Sequence, residues 1–195
     1  KRLCMLISQE NDLRVFTKEI KIDILRGFTP SFFMKEVKIV DNFLTQEEFS
    51  NIWNYIQSMT WEKQTSKGKK SIIDFLSSDV SKVEYFNHYL FEKVRDTLGI
   101  NVKLSRVYFN GQWHGREGDL HTDGCDITSL IYLSQYRPEW GGFTQLFLDN
   151  DEEVIVSPHE GRMICFPGMC LHKGYSYAYQ TCPMRISLAY KMFLC

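Results

Sequence analysis

Several features are scarce in this sequence, and each scarcity closes off a class of protein. No stretch approaches the roughly 20 consecutive apolar residues that a membrane-spanning helix needs. The first residues lack the charged-then-apolar layout of a signal peptide. Basic side chains are not in excess: 23 Lys and Arg face 24 Asp and Glu, for a formal charge of -1. A nucleic-acid binder would ordinarily show a basic stripe and a pI above roughly 9. The cysteines Cys4, Cys125, Cys165, Cys170, Cys182 and Cys195 form no CxxC pair and match no zinc-ribbon spacing. Scattered this way, they read as small buried hydrophobes kept reduced. Internal repeats, linkers and low-complexity tracts are also missing. The expectation is a soluble, cytoplasmic protein with no membrane partner and no nucleic-acid partner.

What is present is an ordinary globular composition. Hydrophobic residues make up 44% and charged residues 24% of 195 positions. A chain of that length can bury about 70% of its unfolded surface without disulfide staples. Residues 1–33 alternate polar and apolar up to Gly27 and Pro30 and are read as an N-terminal extension of open status. Residues 34–195 are read as one domain, with helical support over 34–100 and a β-rich half over 101–195.

In the first part, Glu36–Phe43 is strand-like, and Thr45-Gln-Glu-Glu48 is a capping box. The helix it opens carries Phe49, Ile52, Trp53 and Ile56 on one face. A second capping box, Ser81-Lys-Val-Glu84, opens a helix carrying Phe86, Leu90, Phe91, Val94 and Leu98, which stops at Gly99. The Lys67–Lys70 run between them reads as a solvated loop. Beyond residue 100 short apolar or alternating runs follow one another: 102–110, 127–134, 144–148, 152–157, 162–166, 171–175 and 185–193. Short strands at such intervals predict an α+β, mainly β protein built on an antiparallel sandwich or jelly roll.

The chemistry concentrates in His121-Thr-Asp123, His172 and Arg185. A strand places residues i and i+2 on one face, so His121 and Asp123 can address a single ion. His172, from a distant strand, would complete a set of two imidazoles and one carboxylate. That set is the facial triad of non-haem Fe(II) oxygenases, which leaves open positions on the metal. An HxD pair alone is a weak signal, but order and context strengthen it. The pair follows a glycine-rich stretch, Gly111 to Gly118; His172 follows a strand ending Cys165-Phe-Pro-Gly168; Arg185 opens the next apolar run.

In that order the motifs resemble the 2-oxoglutarate/Fe(II) oxygenase superfamily, in particular its prolyl-4-hydroxylase-like branch of small phage and microbial proteins. The likeness runs through Tyr108-Phe-Asn110-Gly111 to His121-Thr-Asp123, then Ile131-Tyr-Leu-Ser134 and Trp140-Gly-Gly-Phe-Thr144. It continues through Gly161 to Pro167, Leu171-His172-Lys-Gly174 and Met184-Arg185-Ile-Ser-Leu188. The resemblance implies a double-stranded β-helix with His121, Asp123 and His172 as iron ligands. It implies Fe(II), 2-oxoglutarate and dioxygen as cofactor and cosubstrates, with ascorbate as a further candidate. Arg185 and Tyr132 would bind the distal carboxylate of 2-oxoglutarate, with Thr144 assisting, and Asn110, Tyr108 and Trp113 would line the pocket. The implied reaction is hydroxylation of a substrate C–H bond with release of succinate and CO2. Two departures, Arg185 where the branch often has lysine and Gly-Gly-Phe-Thr where it usually has Gly-Gly-Glu-Thr, weaken the transfer of proline as the substrate.

Other residues carry blander readings. His88 is a boundary residue of a helix, His159 a turn residue, and His114 either a loop residue or part of the substrate entrance. The aromatics Trp113, Tyr175, Tyr177 and Tyr179 read mainly as packing. Alternatives to a peptide or protein substrate are a small metabolite, a demethylase acting on nucleic acid, and a jelly-roll binding module without a metal. The demethylase branch carries a second arginine after the one matching Arg185; here the chain reads Ile-Ser-Leu-Ala-Tyr-Lys191. Oligomeric state is not legible. Substrate choice is expected to live in the loops 111–120 and 176–183.

Overall fold

The computed structural model describes residues 37–65, 74–148 and 152–195. The alternation over residues 1–33, Glu36, Cys4 and the Lys67–Lys70 run lie outside the described residues. The chain opens with β1 (Lys38–Val40) and α1 (Gln46–Ser58). The Thr45 box forms as expected: the Thr45 side chain accepts from the Glu48 amide, and the Glu48 carboxylate accepts from the Thr45 amide. Two orphan amides of the first turn are satisfied in this way. The expected apolar face of α1 holds at Phe49, Ile52 and Ile56 and fails at Trp53. Ile52 and Ile56 are buried, whereas Trp53 stands 36% exposed and stacks on Phe49. Tyr55 takes its place against the core.

Two short strands follow that sequence periodicity does not announce, β2 (Glu62–Thr65) and β3 (Asp74–Asp79). Their residues, Glu-Lys-Gln-Thr and Asp-Phe-Leu-Ser-Ser-Asp, lack an apolar alternation. The second helical element begins with a π-helical turn, Tyr85–Tyr89, and continues as α2 (Leu90–Leu98). Its expected capping box does not form. Ser81 uses its hydroxyl to accept from the Val107 amide and to donate to the Val107 carbonyl, so it is committed to the neighbouring strand. The core residues of this helix are as expected: Phe86, Leu90, Phe91, Val94 and Leu98 are all buried. It ends at Gly99, whose φ of 69° is the left-handed cap conformation.

The remaining strands match the expected runs within a residue or two: β4 (Val102–Gln112), β5 (Ile127–Tyr132), β6 (Thr144–Phe147), β7 (Glu153–Val156), β8 (Met163–Pro167), β9 (Leu171–Gly174) and β10 (Arg185–Leu194). They assemble into a seven-stranded sheet, in order β1-β8-β5-β10-β4-β3-β2, and a three-stranded sheet, β7-β6-β9, antiparallel throughout. The fold is mainly β, a jelly roll with helices along one side.

Alternation along the central strands decides what each face of the large sheet does. Ile186, Leu188, Tyr190 and Met192 of β10, with Val107 and Phe109 of β4, join the cluster that packs under α1 and α2. The opposite face meets the small sheet: Leu130, Tyr132, Ile164, Phe166 and Ala189 cluster with Leu146 and Val156. Strands buried on both faces need near-continuous burial, which β5 shows at every position. A fully buried side chain such as Ile52 or Leu188 contributes about 1.5–3 kcal/mol of hydrophobic stabilisation. Four cysteines, Cys125, Cys165, Cys170 and Cys182, are buried, as expected, while Cys195 is exposed. Burial pushes the Cys165 thiol up to about 12, so it is inert at neutral pH. Among the described residues no helix is long and apolar enough to cross a membrane.

Candidate active site

His121 and Asp123 lie on the link between β4 and β5 rather than inside a strand, which corrects the expected strand placement. One isolated bridge supplies the alignment instead. The His121 amide donates to the His172 carbonyl at 3.0 Å, and the His172 amide donates back at 2.8 Å. The Asp123 amide donates to Gly168 O at 2.7 Å. These contacts bring one donor atom from each of His121, Asp123 and His172 to within 4.8 Å of one another.

The hydrogen bonds of the two imidazoles fix which nitrogen faces inward. His121 Nδ1 lies 2.8 Å from the Asp119 carbonyl, and His172 Nδ1 lies 2.8 Å from the Cys170 carbonyl. A carbonyl can only accept, so both Nδ1 atoms carry the proton and both Nε2 atoms present a lone pair. Those lone pairs face a carboxylate: His121 Nε2 is 3.7 Å from Asp123 Oδ1, and His172 Nε2 is 3.5 Å from Oδ2. Three electron-pair donors confront each other at distances too long for hydrogen bonds, and a cation between them would relieve the repulsion. Protonation is suited to this. Burial lowers His172 to about 4, despite the opposing pull of Asp123, so the ring is neutral at neutral pH. Burial pushes the Asp123 carboxyl up, but Lys191, His172 and Thr128 together hold it below the usual carboxylate range. A neutral imidazole and an ionised carboxylate are the forms that bind a divalent metal.

The triad opens on a cleft of about 530 Å³. Period-two alternation brings Tyr108, Asn110 and Gln112 of β4 into its wall beside Arg185, Ser187 and Lys191 of β10. In register, Arg185 stands opposite Gln112 and Ser187 opposite Asn110. Phe75 and Ser77 of β3 and Gln64 of β2 extend the wall, a contribution sequence reading missed along with the strands that carry them. The Asn110 side-chain oxygen is buried without a hydrogen-bond partner.

Arg185 is 3% exposed. Its Nε donates to Gly142 O at 2.7 Å, one Nη to Gln112 Oε1 at 2.7 Å, and the other to Thr144 Oγ1 at 3.0 Å. Every partner is neutral. Among the described residues no carboxylate forms an ion pair with this guanidinium. A buried charge is costly unless paired, so the cleft is built to receive an anion at this end. Gly142 shapes the approach: its φ is 74°, and a Cβ there would meet Tyr177 at 2.4 Å. Gln112, which orients the guanidinium and donates onward to Gly174 O, escaped sequence reading, although its two-residue spacing from Asn110 would have revealed it.

The other expected residues sort differently. Thr144 and Asn110 line the cleft, as does Tyr108. Tyr132 is fully buried behind Thr144, and its hydroxyl donates to Thr144 Oγ1 at 2.8 Å. With its acceptor sites taken by Tyr132 and Arg185, the Thr144 hydroxyl is left to donate its own hydrogen. Trp113 and His114 do not line the cleft: Trp113 is 50% exposed, and His114 Nδ1 bonds the Tyr177 carbonyl, joining the two loops. His88 is exposed on its helical turn, and His159 packs against the Tyr136 ring. Tyr177 is buried and Tyr175 bonds Gln145, while Tyr179 is exposed.

No protein-family model matches the chain. A stretch of 67 residues, 34% of this chain, is 31% identical to 2-oxoglutarate and iron-dependent oxygenase domain-containing protein 3 of mouse and of human. The match spans about a fifth of the length of those relatives, 21%. Among solved structures, a 2OG-Fe(II) oxygenase family oxidoreductase from Burkholderia pseudomallei superposes with a TM-score of 0.68 at 12% identity, covering 80% of this chain and 84% of the other. A Trichoplax adhaerens prolyl hydroxylase in complex with a hypoxia inducible factor peptide fragment superposes with a TM-score of 0.65 at 18% identity, covering 82% and 84%. The resemblance read from the motifs therefore holds in three dimensions: the chain has the fold of the 2-oxoglutarate/Fe(II) oxygenases, prolyl hydroxylases among them.

Proposed function

We propose that the protein is an Fe(II)- and 2-oxoglutarate-dependent dioxygenase that hydroxylates a C–H bond. The observation that carries this is the division of one cleft into two unsatisfied ends. At one end the bare His121 Nε2, His172 Nε2 and Asp123 Oδ1 gather around one point, and at the other a buried guanidinium has no counter-ion among the described residues. A 2-oxo dicarboxylate satisfies both, chelating a metal through its oxo-acid end and meeting Arg185 with its far carboxylate.

In this reading His121, Asp123 and His172 hold the iron. Arg185 receives the distal carboxylate, which Thr144 meets with its hydroxyl hydrogen; Tyr132, donating its own hydrogen to Thr144 Oγ1 from behind, leaves that hydroxyl to act as a donor. Tyr108 and Asn110 line the space between. With dioxygen, iron and 2-oxoglutarate supply the oxidising power: one oxygen atom enters succinate as CO2 leaves, and the other enters the substrate C–H bond. The chain's own part is to fix the imidazole tautomers, to orient the cosubstrate through Arg185 and Gln112, and to keep water from the buried end of the cleft. Prolyl residues in a peptide or protein are the proposed substrate. Support comes from the fold shared with the peptide-bound Trichoplax hydroxylase.

The test is succinate formation from 2-oxoglutarate under air with added Fe(II), comparing wild type with His172→Ala. Turnover, even slow and uncoupled, that disappears in the variant is the expected result. Mn(II) binding without any 2-oxoglutarate binding would defeat the Arg185 assignment, and no metal binding at all would defeat the proposal. Proline-containing peptides that fail to stimulate turnover would move the substrate to a small metabolite.

A further inference from the structure

The two oxygens of Asp123 are treated differently by the protein. Oδ2 accepts from Thr128 Oγ1 at 2.6 Å and is in ion-pair contact with Lys191 Nζ. Oδ1 accepts from no protein donor among the described residues; its recorded neighbour is the bare His121 Nε2 at 3.7 Å. The two groups on Oδ2 are themselves in place: Lys191 Nζ is 3.4 Å from Thr128 Oγ1 and lies 5.8 Å from the centre of the Tyr108 ring. Thr128 is fully buried, and the Lys191 side chain is only 13% exposed. A solvated surface lysine would not account for this arrangement, because the ammonium is directed inward at a single carboxylate oxygen.

Resting on the oxygenase reading above, we infer that Lys191 and Thr128 form a clamp that keeps Asp123 a one-oxygen ligand, so that a coordination position stays open. The chemistry turns on counting. An octahedral ion held by two imidazoles and one carboxylate oxygen has three positions left, two for a chelating cosubstrate and one for dioxygen. A carboxylate bound through both oxygens fills one of those three. To swing Oδ2 onto the ion, the protein would have to strip a buried ammonium and a buried hydroxyl of their shared acceptor. Lys191 and Thr128 are thus positioning residues, acting through Asp123 without touching substrate. Strand parity supplies the geometry: Lys191 shares the cleft-facing set of β10 with Arg185 and Ser187, and it stands opposite Thr128 of β5. The same strand therefore holds the anion-binding cation at one end and the clamp at the other.

The experiment counts exchangeable waters on Mn(II), added as the probe without cosubstrate, by water-proton relaxation at matched ion loading. Wild type is expected to hold three waters. The double variant K191M/T128V is expected to hold two, with relaxation per bound ion lower by about one third. K191R/T128S keeps both donors and is expected to return the wild-type value. The single variants K191M and T128V each keep one donor and are expected to fall between, which preserves the test if the double variant does not fold. Unchanged relaxation in all the donor-lacking variants would overturn the clamp while leaving the oxygenase reading intact. Complete loss of Mn(II) binding in the double variant would also overturn it, since the pair would then serve affinity. Failure of the wild type to bind Mn(II) would overturn both.

Discussion

Among the described residues two arginines are buried, and they are handled in opposite ways. Arg162, 9% exposed, is fully committed: Nε and one Nη donate to the two oxygens of Asp41 at 2.6 and 3.1 Å, and the other Nη donates to Ser157 O. Arg185, more deeply buried, is surrounded by Gly142 O, Gln112 Oε1 and Thr144 Oγ1, none of them charged. The fork-on-carboxylate geometry at Arg162 joins the start of β8 to the turn after β1 and leaves nothing over for a ligand. At Arg185 the neutral acceptors orient the guanidinium but do not cancel its charge. A structural arginine comes with its counter-ion, whereas the one at the cleft leaves its charge for whatever enters.

The sharpest way to break that contrast is Arg185→Met. Two charge-assisted hydrogen bonds to a carboxylate are lost, each worth roughly 1.5–3 kcal/mol, so 2-oxoglutarate affinity should fall on the order of 100-fold or more. Stability should hold or rise, because the variant removes an uncompensated buried charge. Calorimetric titration of the Mn(II)-loaded protein and a thermal melt check the two halves; a large drop in Tm with little change in affinity would reverse the roles assigned to the two arginines. Gly142→Ala is expected to damage both properties. The left-handed backbone costs about 1–3 kcal/mol for a residue with a Cβ, and displacing the Gly142 carbonyl loosens the Arg185 Nε, weakening 2-oxoglutarate about tenfold. Arg162→Met is the mirror image. It should cost about 2 kcal/mol of stability, less than a fully buried pair would, because the Asp41 side chain is 44% exposed. Its 2-oxoglutarate affinity should stay at the wild-type value.

How much of this contrast is legible in the sequence depends on the element. Strand alternation places Tyr108, Asn110 and Gln112 of β4 and Arg185, Ser187 and Lys191 of β10 on the same face of the sheet, so the cleft wall could be read almost residue by residue once β4 and β10 were recognised. The triad was also legible, because His121, Asp123 and His172 follow an ordered set of motifs. Their support was not. The single bridge between His121 and His172 is a long-range pairing with no local signature. Strands β2 and β3 were missed because they are polar, and Gln64 and Ser77 disappeared from the cleft with them. The Ser81 capping box misled because its hydroxyl had a better use, against Val107 of β4. Tyr132 was assigned a ligand that Thr144 stands in front of, a matter of depth that one-dimensional spacing does not carry. Nor could Arg162 and Arg185 be told apart as charges: each lies in a motif, but the partner of Arg162, Asp41, is 121 positions away.

The smallest expected effect tests the same comparison through pH. The hydrogen bond from Arg162, helped by its charge, holds the Asp41 carboxyl below its usual range against the upward push of burial. A carboxylate whose pKa is lower folded than unfolded binds protons more readily in the unfolded chain. It therefore stabilises the fold above the unfolded value and loses that contribution as pH falls through the folded value. For Asp41 the loss should begin below about pH 4 and stay under about 1 kcal/mol, given its exposure. Denaturant midpoints measured from neutral pH down to the acid limb should show a shallower slope in Asp41→Asn than in the wild type. Arg162→Met should flatten the slope equally, because either change removes the same pair. Arg185→Met should leave it untouched, since among the described residues no carboxylate pairs with that guanidinium. An altered acid slope in Arg185→Met would mean that some acidic group already neutralises the charge assigned to the ligand.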